Sequence, residues 1–267
     1  MTRDRIRTAI FGAAGRMGKR LVAIGAADPE IEIVAALEKA GHPAIGSDAG
    51  TLAGIAPLGV AVSSELPSVC DVVIDFSVPE ASMEIAERCA GRGLAIVVAT
   101  TGFEHEQREK LLAYSHVCPL LMSPSMSLTV NLVMKLASIA GQSLKSHPAG
   151  VDVEILERHH RLKEDAPSGT ALKFGQIVAE AMGQTQHTHG RSGRIGKRPM
   201  NEIGYHAIRT GDNPGEHTVI FGVPGETIEL TVRASNRDCY ANGAMAAAKF
   251  LYNKAPGLYG MSDVLGL

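Results

Sequence analysis

A short β-rich run, IRTAIFG at 6–12, ends in a glycine turn, and 15–27 then reads as a helix with Met17, Leu21 and Ile24 apolar. A second apolar run, 31–38 (IEIVAALE), follows at the distance of a βαβ crossover. Further short apolar runs occupy 71–76 (DVVIDF), 94–99 (LAIVVA) and 117–122 (VCPLLM), with helical candidates at 79–92 and 104–114 between them. Strands this continuously apolar must be covered on both faces, since neither face can meet water. The first half therefore reads as α/β, a doubly wound parallel sheet of Rossmann type.

After Ser123 and Pro124 the pattern changes. Residues 128–146 form a long amphipathic helix with Val130, Leu132, Val133, Leu136, Ile139 and Ala140 on or near one face. In 226–235, Ile228, Leu230 and Val232 alternate with Glu229, Thr231 and Arg233, the period of a strand with one wet face. Runs 151–157, 202–210 and 216–222 bring the set to about four strands, with a helix at 168–183 among them. The second domain is thus expected to be α+β with a roughly four-stranded mixed sheet. Residues 184–200 show no periodicity and carry Arg191, Arg194, Lys197 and Arg198, as a long exposed loop would. Such a loop fits either an active-site lid or a solvated excursion. A last helix spans 242–254.

The 267 residues suffice for about two domains. Apolar residues make up 45% and charged residues 20%, a globular profile, and a net charge of −2 offers no field for a polyanion. Nucleic acid is not an expected partner. No apolar run approaches the ~20 residues of a spanning helix, and MTRDRIRTAIFGAAG lacks the apolar stretch of a signal peptide. The expected setting is cytoplasmic. Cys70, Cys89, Cys118 and Cys239 lack CxxC spacing and read as reduced thiols rather than a disulfide frame or zinc site.

Gly12, Gly15 and Gly18 stand in GAAGRMG, between strand and helix. Glycine permits the sharp turn and lets backbone amides and a helix N-terminus approach a pyrophosphate. The spacing is GxxGxxG rather than GxGxxG, and tight strand–helix packing alone can also require it. Context favours a dinucleotide: Glu38 ends the second strand, 20 residues past Gly18, where an acid accepts hydrogen bonds from an adenosine ribose. Glu38 suits the free diol of NAD, whereas Lys39 and Arg16 can pair with a 2′-phosphate, so use of both NADH and NADPH is expected. Asp75-Phe76-Ser77 and Thr100-Thr101-Gly102 are either ordinary turns or further strand ends lining the same crevice.

A second constellation, ERHHRLKEDAPSGTA at 157–171, places two His, an Arg and a Lys beyond the run VDVEIL. Ser168 is a plausible N-cap, and the free amides of Gly169 and Thr170 make an anion site at the helix start. With His160 and Lys163 added, the cluster suits a small dianion. A hydride added to an electrophilic C=N or conjugated C=C leaves charge that must be protonated, and His159 or Lys163 can supply that proton. The bland alternatives are surface histidines, a simple cap and a solvated basic run. No metal is expected, because the HH pair is consecutive and lacks a third ligand at useful spacing; His187 and His189 read as bystanders.

Taken together, GAAGRMG, Glu38-Lys39, DFSVPE at 75–80, ATTGF at 99–103 and above all ERHHRLKEDAPSGTA closely resemble dihydrodipicolinate reductase, over nearly the entire chain. The glycine motif is shared by many dehydrogenases; HHRxKxDAPSGTA is highly specific. The resemblance implies NAD(P)H-dependent reduction of 4-hydroxy-tetrahydrodipicolinate, a cyclic dicarboxylate, to tetrahydrodipicolinate in lysine/diaminopimelate synthesis. It implies His159 as proton donor or acceptor with Lys163 as partner, and His160, Lys163, Ser168, Gly169 and Thr170 around the substrate carboxylates. On the cofactor side it implies Gly12, Ala13, Ala14, Gly15, Arg16, Met17, Glu38, Lys39, Phe76, Ala99, Thr100, Thr101, Ser123, Pro124, Ser125 and Met126. It further implies a homotetramer built by packing substrate-domain sheets, a dinucleotide-binding domain at 1–127, a substrate-binding domain at 128–240, and a segment 241–267 returning to the first domain, with a cleft that closes around the substrate.

Three positions depart from the family pattern: Ala99 replaces a common Gly, Ser125 a usual Asn and Thr129 a customary Gly. They bear on cofactor affinity, a lost amide hydrogen-bond set being worth about 0.5–1.5 kcal/mol net. Two other readings stay open. Another Rossmann dehydrogenase shares the first domain but gives no reason for HHRLK beside SGT, and a dinucleotide-sensing regulator calls for a DNA-binding element that is not evident.

Overall fold

The computed structural model describes residues 5–267; residues 1–4, counted above with the first domain, lie outside the described residues. The chain divides into two compact units, Met1–Leu128 with Asp238–Leu267, and Thr129–Arg237. In chain order the first unit opens with β1 (Ile6–Phe11), α1 (Arg16–Ala27), β2 (Ile31–Leu37), α2 (Ala49–Leu52), β3 (Val62–Ser63) and β4 (Val72–Asp75). Next come α3 (Pro79–Ala90), β5 (Ala95–Val98), α4 (His105–Ala113) and β6 (Pro119–Met122). The second unit takes α5 (Leu128–Leu144), β7 (Asp152–His159), α6 (Gly169–Met182), β8 (Gln186–His189), β9 (Glu202–Arg209), β10 (Glu216–Val223) and β11 (Glu226–Arg233). The chain then returns to the first unit with α7 (Asp238–Leu251), β12 (Gly257–Tyr259) and α8 (Met261–Leu265).

The first sheet has seven parallel strands in the order β12-β6-β5-β4-β1-β2-β3. Alternation along each strand feeds two separate cores. Ile10, Ile74, Val97 and Leu121 pack with Leu21 and Val22 of α1 and Ala244, Met245 and Ala248 of α7. On the other face, Phe11, Val73, Ile96, Val98 and Leu120 meet Ile85 and Cys89 of α3 and Leu111 of α4. Burial on both faces is what the unbroken apolar strands require. The elements absent from the sequence reading, α2, β3, β12 and α8, are two to five residues long and too short to show a period.

The second sheet is mixed and has five strands, β11-β10-β7-β9-β8. β10 pairs antiparallel with β7 and β11, and β9 pairs parallel with β7 and β8. Val153 and Ile155 of β7, Val219 and Phe221 of β10, and Phe174 and Val178 of α6 form its core. The fifth strand, β8, arises inside 184–200 and corrects the expectation of an irregular loop at 186–189, while residues 190–200 are irregular and mostly exposed, as expected. It lacks an apolar period because it is a polar edge strand. The His187 and His189 rings stack on Tyr205 with centroids at 5.7 and 5.1 Å, and Tyr205 Oη lies 2.8 Å from His187 Nδ1.

Two arginines tie the rest of that segment to the sheet. Arg191 donates to both oxygens of Glu154 at 2.9 and 2.7 Å, and Arg198 reaches Asp152 at 2.9 Å, Glu154 at 3.0 Å and the Val153 carbonyl at 2.8 Å. Burial works to raise the Glu154 pKa, but Arg191, His206 and Arg198 outweigh it and hold the carboxyl at about 2. Edge strand β11 buries only part of its expected stripe: Val232 is 8% exposed and Ile228 44%. Among the described residues no helix is long and apolar enough to cross a membrane.

Candidate active site

At the end of β1 the backbone folds back on itself. Gly12 has φ +78°, and a Cβ there would stand 2.7 Å from the Phe76 carbonyl oxygen. A Cβ on Gly18 would meet the Gly12 oxygen at 2.1 Å, so the α1 backbone can approach the turn only without a side chain. The Gly12 and Ala13 amides donate to the Leu37 carbonyl at 3.0 and 3.1 Å, which welds the turn to β2. The Ala14 amide donates to Glu38 Oε1 at 2.8 Å, leaving the second carboxylate oxygen for a ligand. Gly15 caps α1 without any side-chain bond. The first-turn amides of Arg16, Met17 and Gly18 are thereby left to an anion.

Around this turn, Glu38 is half-buried and Lys39 and Arg16 are exposed. Phe76 follows β4, and Ala99, Thr100 and Thr101 follow β5; Phe76 and Ala99 are half-buried, Thr100 is buried and Thr101 exposed. After β6, the Ser123 hydroxyl donates to the Ser125 carbonyl at 2.8 Å, with Pro124 exposed and Met126 buried. Apart from Arg16 and Met17 in the first turn of α1, these candidates sit at carboxyl ends of strands or in the turns that follow, where open α/β sheets bind ligands. A glycine cradle that any Cβ would fill, an uncapped helix mouth and an acid at the end of β2 fit a dinucleotide.

The second unit builds its site on β7. Val153, Ile155, Glu157 and His159 occupy alternate positions and all face inward. Register then supplies their partners, because His217 of β10 pairs with Glu157, and Arg209 of β9 pairs with His159. Glu157 is 2% exposed and accepts from Arg209 Nη1 at 2.8 Å, Arg209 Nη2 at 2.7 Å and the Ser168 amide at 3.1 Å. His159 Nδ1 lies 2.5 Å from Glu157 Oε2. His217 Nε2 lies 3.0 Å from Ser168 Oγ, and its ring meets that of His159 edge-on at 5.1 Å.

Burial works to raise the Glu157 pKa, but Arg209 and His159 prevail and hold its carboxyl below the usual range. An ionised Glu157 fixes the proton of neutral His159 on Nδ1, which leaves Nε2 as the nitrogen that titrates. Burial lowers the His159 pKa; Glu157 opposes this, Lys163 and Arg209 add to it, and the net direction is down. Burial, with His159 beside it, takes His217 down to about 4, so His217 stays neutral near pH 7.

Ser168 caps α6, its hydroxyl accepting from the Ala171 amide at 3.2 Å, with Gly169 exposed and Thr170 half-buried in the first turn. The loop carrying His160 and Lys163 is tied down by His160 N to Asn213 O at 2.8 Å and Arg161 N to Gly211 O at 3.1 Å. His160 Nδ1 is buried and makes no hydrogen bond among the described residues. Lys163 Nζ donates to the exposed Asp165 at 2.8 Å, a surface pair that costs little to exchange for another carboxylate. In the sequence Glu157 stands out only as part of the motif, and Arg209 and His217 lie outside it. A signal existed for two of them: Glu157 stands in phase with Val153 and Ile155, and His217 with Val219 and Phe221, at positions that alternation marks as buried. Arg209 has no such signal.

Family models described as dihydrodipicolinate reductase, N-terminus, and dihydrodipicolinate reductase, C-terminus, match residues 6–126 and 129–265. A 4-hydroxy-tetrahydrodipicolinate reductase from Rhodopirellula baltica is 54% identical over 98% of this chain and 96% of its own length. One from Hahella chejuensis is 45% identical over 98% and 99%. A dipicolinate-bound dihydrodipicolinate reductase from Paenisporosarcina sp. TG-14 matches with a TM-score of 0.76 at 26% identity, over 96% of this chain and 97% of that one. An amine dehydrogenase from Mycobacterium smegmatis, with a TM-score of 0.59 at 13% identity over 97% and 95%, shares the fold alone. Two family models that jointly span nearly the whole sequence, and relatives at this level of identity, place the chain in the dihydrodipicolinate reductase family.

Proposed function

We propose that the chain reduces 4-hydroxy-tetrahydrodipicolinate to tetrahydrodipicolinate with NADH or NADPH, a step of lysine and diaminopimelate synthesis. The observation that carries this reading is the buried Arg209–Glu157–His159 chain beside the N-terminus of α6. The cofactor is a nicotinamide dinucleotide, as in the family. When bound in reduced form it supplies a hydride. Gly12, Ala13, Ala14, Gly15, Arg16 and Met17 would hold its pyrophosphate, Glu38 and Lys39 its adenosine ribose, and Phe76, Ala99, Thr100, Thr101 and the segment from Ser123 through Pro124 and Ser125 to Met126 its remaining length.

On the substrate side, the amides of Gly169 and Thr170 and the Thr170 hydroxyl receive one carboxylate, with the helix dipole behind them. His160, through its unpartnered Nδ1, and Lys163, released from Asp165, receive the other. Ser168 serves indirectly, since its hydroxyl holds the α6 cap and meets His217, and its amide bonds Glu157. Loss of the 4-hydroxyl as water leaves the conjugated C=C that takes the hydride, and the charge then left on the ring takes the Nε2 proton of the His159 imidazolium, which returns to its neutral Nδ1–H form with Lys163 as its partner. Glu157 keeps that nitrogen aimed and offsets the imidazolium charge. A homotetramer and a cytoplasmic setting complete the reading; Ile208 and Ile228, 45% and 44% exposed, leave apolar area on the second sheet for self-association.

The test couples the protein to pyruvate, aspartate semialdehyde and a dihydrodipicolinate synthase, and follows nicotinamide absorbance. Oxidation that requires the coupled substrate is expected, and oxidation independent of it, or none, contradicts the reading. The same assay run with each dinucleotide addresses specificity. Glu38 suits the diol and Lys39 and Arg16 a 2′-phosphate, so kcat/KM for NADH and NADPH should differ by less than about 100-fold, or about 2.7 kcal/mol. A larger preference for either removes dual use.

A further inference from the structure

Asp75, the last residue of β4, is 0% exposed, and only uncharged donors bond its carboxylate. Oδ1 accepts from the Ser77 amide at 3.0 Å and the Ser77 hydroxyl at 2.5 Å. Oδ2 accepts from the Thr100 hydroxyl at 3.0 Å and from the Ser82 hydroxyl of α3. The Ser77 amide also reaches Thr100 Oγ1 at 3.1 Å, which closes the network between the turns after β4 and β5. Among the described residues no cationic side chain compensates the carboxylate, and burial pushes its pKa up. A buried acid without a cation is costly, and an apolar side chain would fill the same space without that cost. What an apolar side chain cannot do is fix residues 77 and 100 relative to each other.

Those two positions bracket the backbone that matters. Phe76 lies between Asp75 and Ser77, its amide donates to the Phe11 carbonyl at 3.2 Å, and its own carbonyl closes over Gly12. The Ala99 amide donates to the Asp75 carbonyl at 3.0 Å. The turns after β4 and β5 thus meet around the Asp75 side chain, and the glycine turn packs against the first of them through the Phe76 backbone.

We propose that Asp75 is a positioning residue for the dinucleotide, its carboxylate locking the turns after β4 and β5 into the shape on which the cofactor lies. This rests on the reading that Phe76, Ala99, Thr100 and Thr101 touch the cofactor. The test is calorimetric titration of the full chain with NADH, alongside circular dichroism and thermal melting. Asp75→Leu should raise the NADH Kd at least about tenfold. Asp75→Asn keeps an acceptor for the Ser77 amide while its hydroxyl partners can rotate, and should recover to within about threefold of wild type.

A folded Asp75→Leu protein that binds NADH within about twofold of wild type overturns the proposal, whatever its melting midpoint. So does an Asp75→Asn protein no better than Asp75→Leu, since charge rather than position would then be at issue. If Asp75→Leu does not fold, Ser77→Ala combined with Ser82→Ala decides, since neither residue is read as touching the cofactor: about tenfold weaker NADH supports the proposal and a change within about twofold overturns it. Wild-type protein that fails to bind NADH overturns the cofactor reading itself, and the proposal with it.

Discussion

His159→Gln lowers kcat by about 10²-fold or more, and Lys163→Ala does the same, the usual scale for loss of a positioned proton donor. Glutamine retains a hydrogen-bond donor toward Glu157 but has no nitrogen that titrates, so it removes the chemistry while sparing the buried network. Both residues belong to the second unit and the glycine turn to the first. The NADH Kd should therefore stay within about threefold of wild type in both variants. Steady-state kinetics at saturating dinucleotide, with calorimetry for NADH, measures both quantities. Wild-type turnover in the two variants removes them from the mechanism.

Arg209→Met should lower the unfolding free energy at pH 7 by about 3–5 kcal/mol, because it leaves Glu157 buried without its cation. The pH dependence has a definite sign. In the wild type the folded-state pKa of Glu157 lies below its ordinary value of 4.5, so its contribution to stability is present above that value and is lost as pH falls through the depressed folded pKa. Without Arg209 the desolvation of Glu157, whose side chain is 1% exposed, prevails and its folded pKa rises. Stability is then lost as pH rises through the unfolded value, so the deficit of Arg209→Met against wild type should shrink between pH 7 and pH 4. Urea titrations at the two pH values test this. A pH-independent deficit under about 1 kcal/mol would mean that the fork is no more than a surface pair.

The sequence carried the first sheet well, because a strand buried on both faces leaves an unbroken apolar run that survives without structural context. It carried the long helices through their period, although Leu132, Leu136 and Ile139, expected on the apolar face of α5, are exposed and Val130, Met134 and Ala137 form the buried face instead. The pieces it did not carry obey other forces. β8 is built from Gln186, His187, Thr188 and His189 and is held by backbone pairing to β9 and by stacking on Tyr205, none of which leaves an apolar period. Arg191 and Arg198 looked like solvated charges until Glu154, 37 and 44 residues away in sequence, was placed beneath them.

The site divides in the same way. His159, His160, Lys163 and the cap from Ser168 to Thr170 lie within one short stretch and were legible together. Arg209 is 52 residues from Glu157 and joins the site only through the pairing of β9 with β7. His217 arrives through the antiparallel register of β10. Its alternation with Val219 and Phe221 marked it as buried, yet only the register says against what.

In the proposed function a ring dianion is held by His160, Lys163 and the mouth of α6, with His159 Nε2 toward the ring. A crystal structure of the protein with a nicotinamide dinucleotide and pyridine-2,6-dicarboxylate measures this directly. The expected result is one carboxylate on the Gly169 and Thr170 amides, the other on His160 and Lys163, and the Lys163–Asp165 pair broken. An inhibitor bound elsewhere, with Lys163 still on Asp165 and the α6 amides facing solvent, contradicts the account.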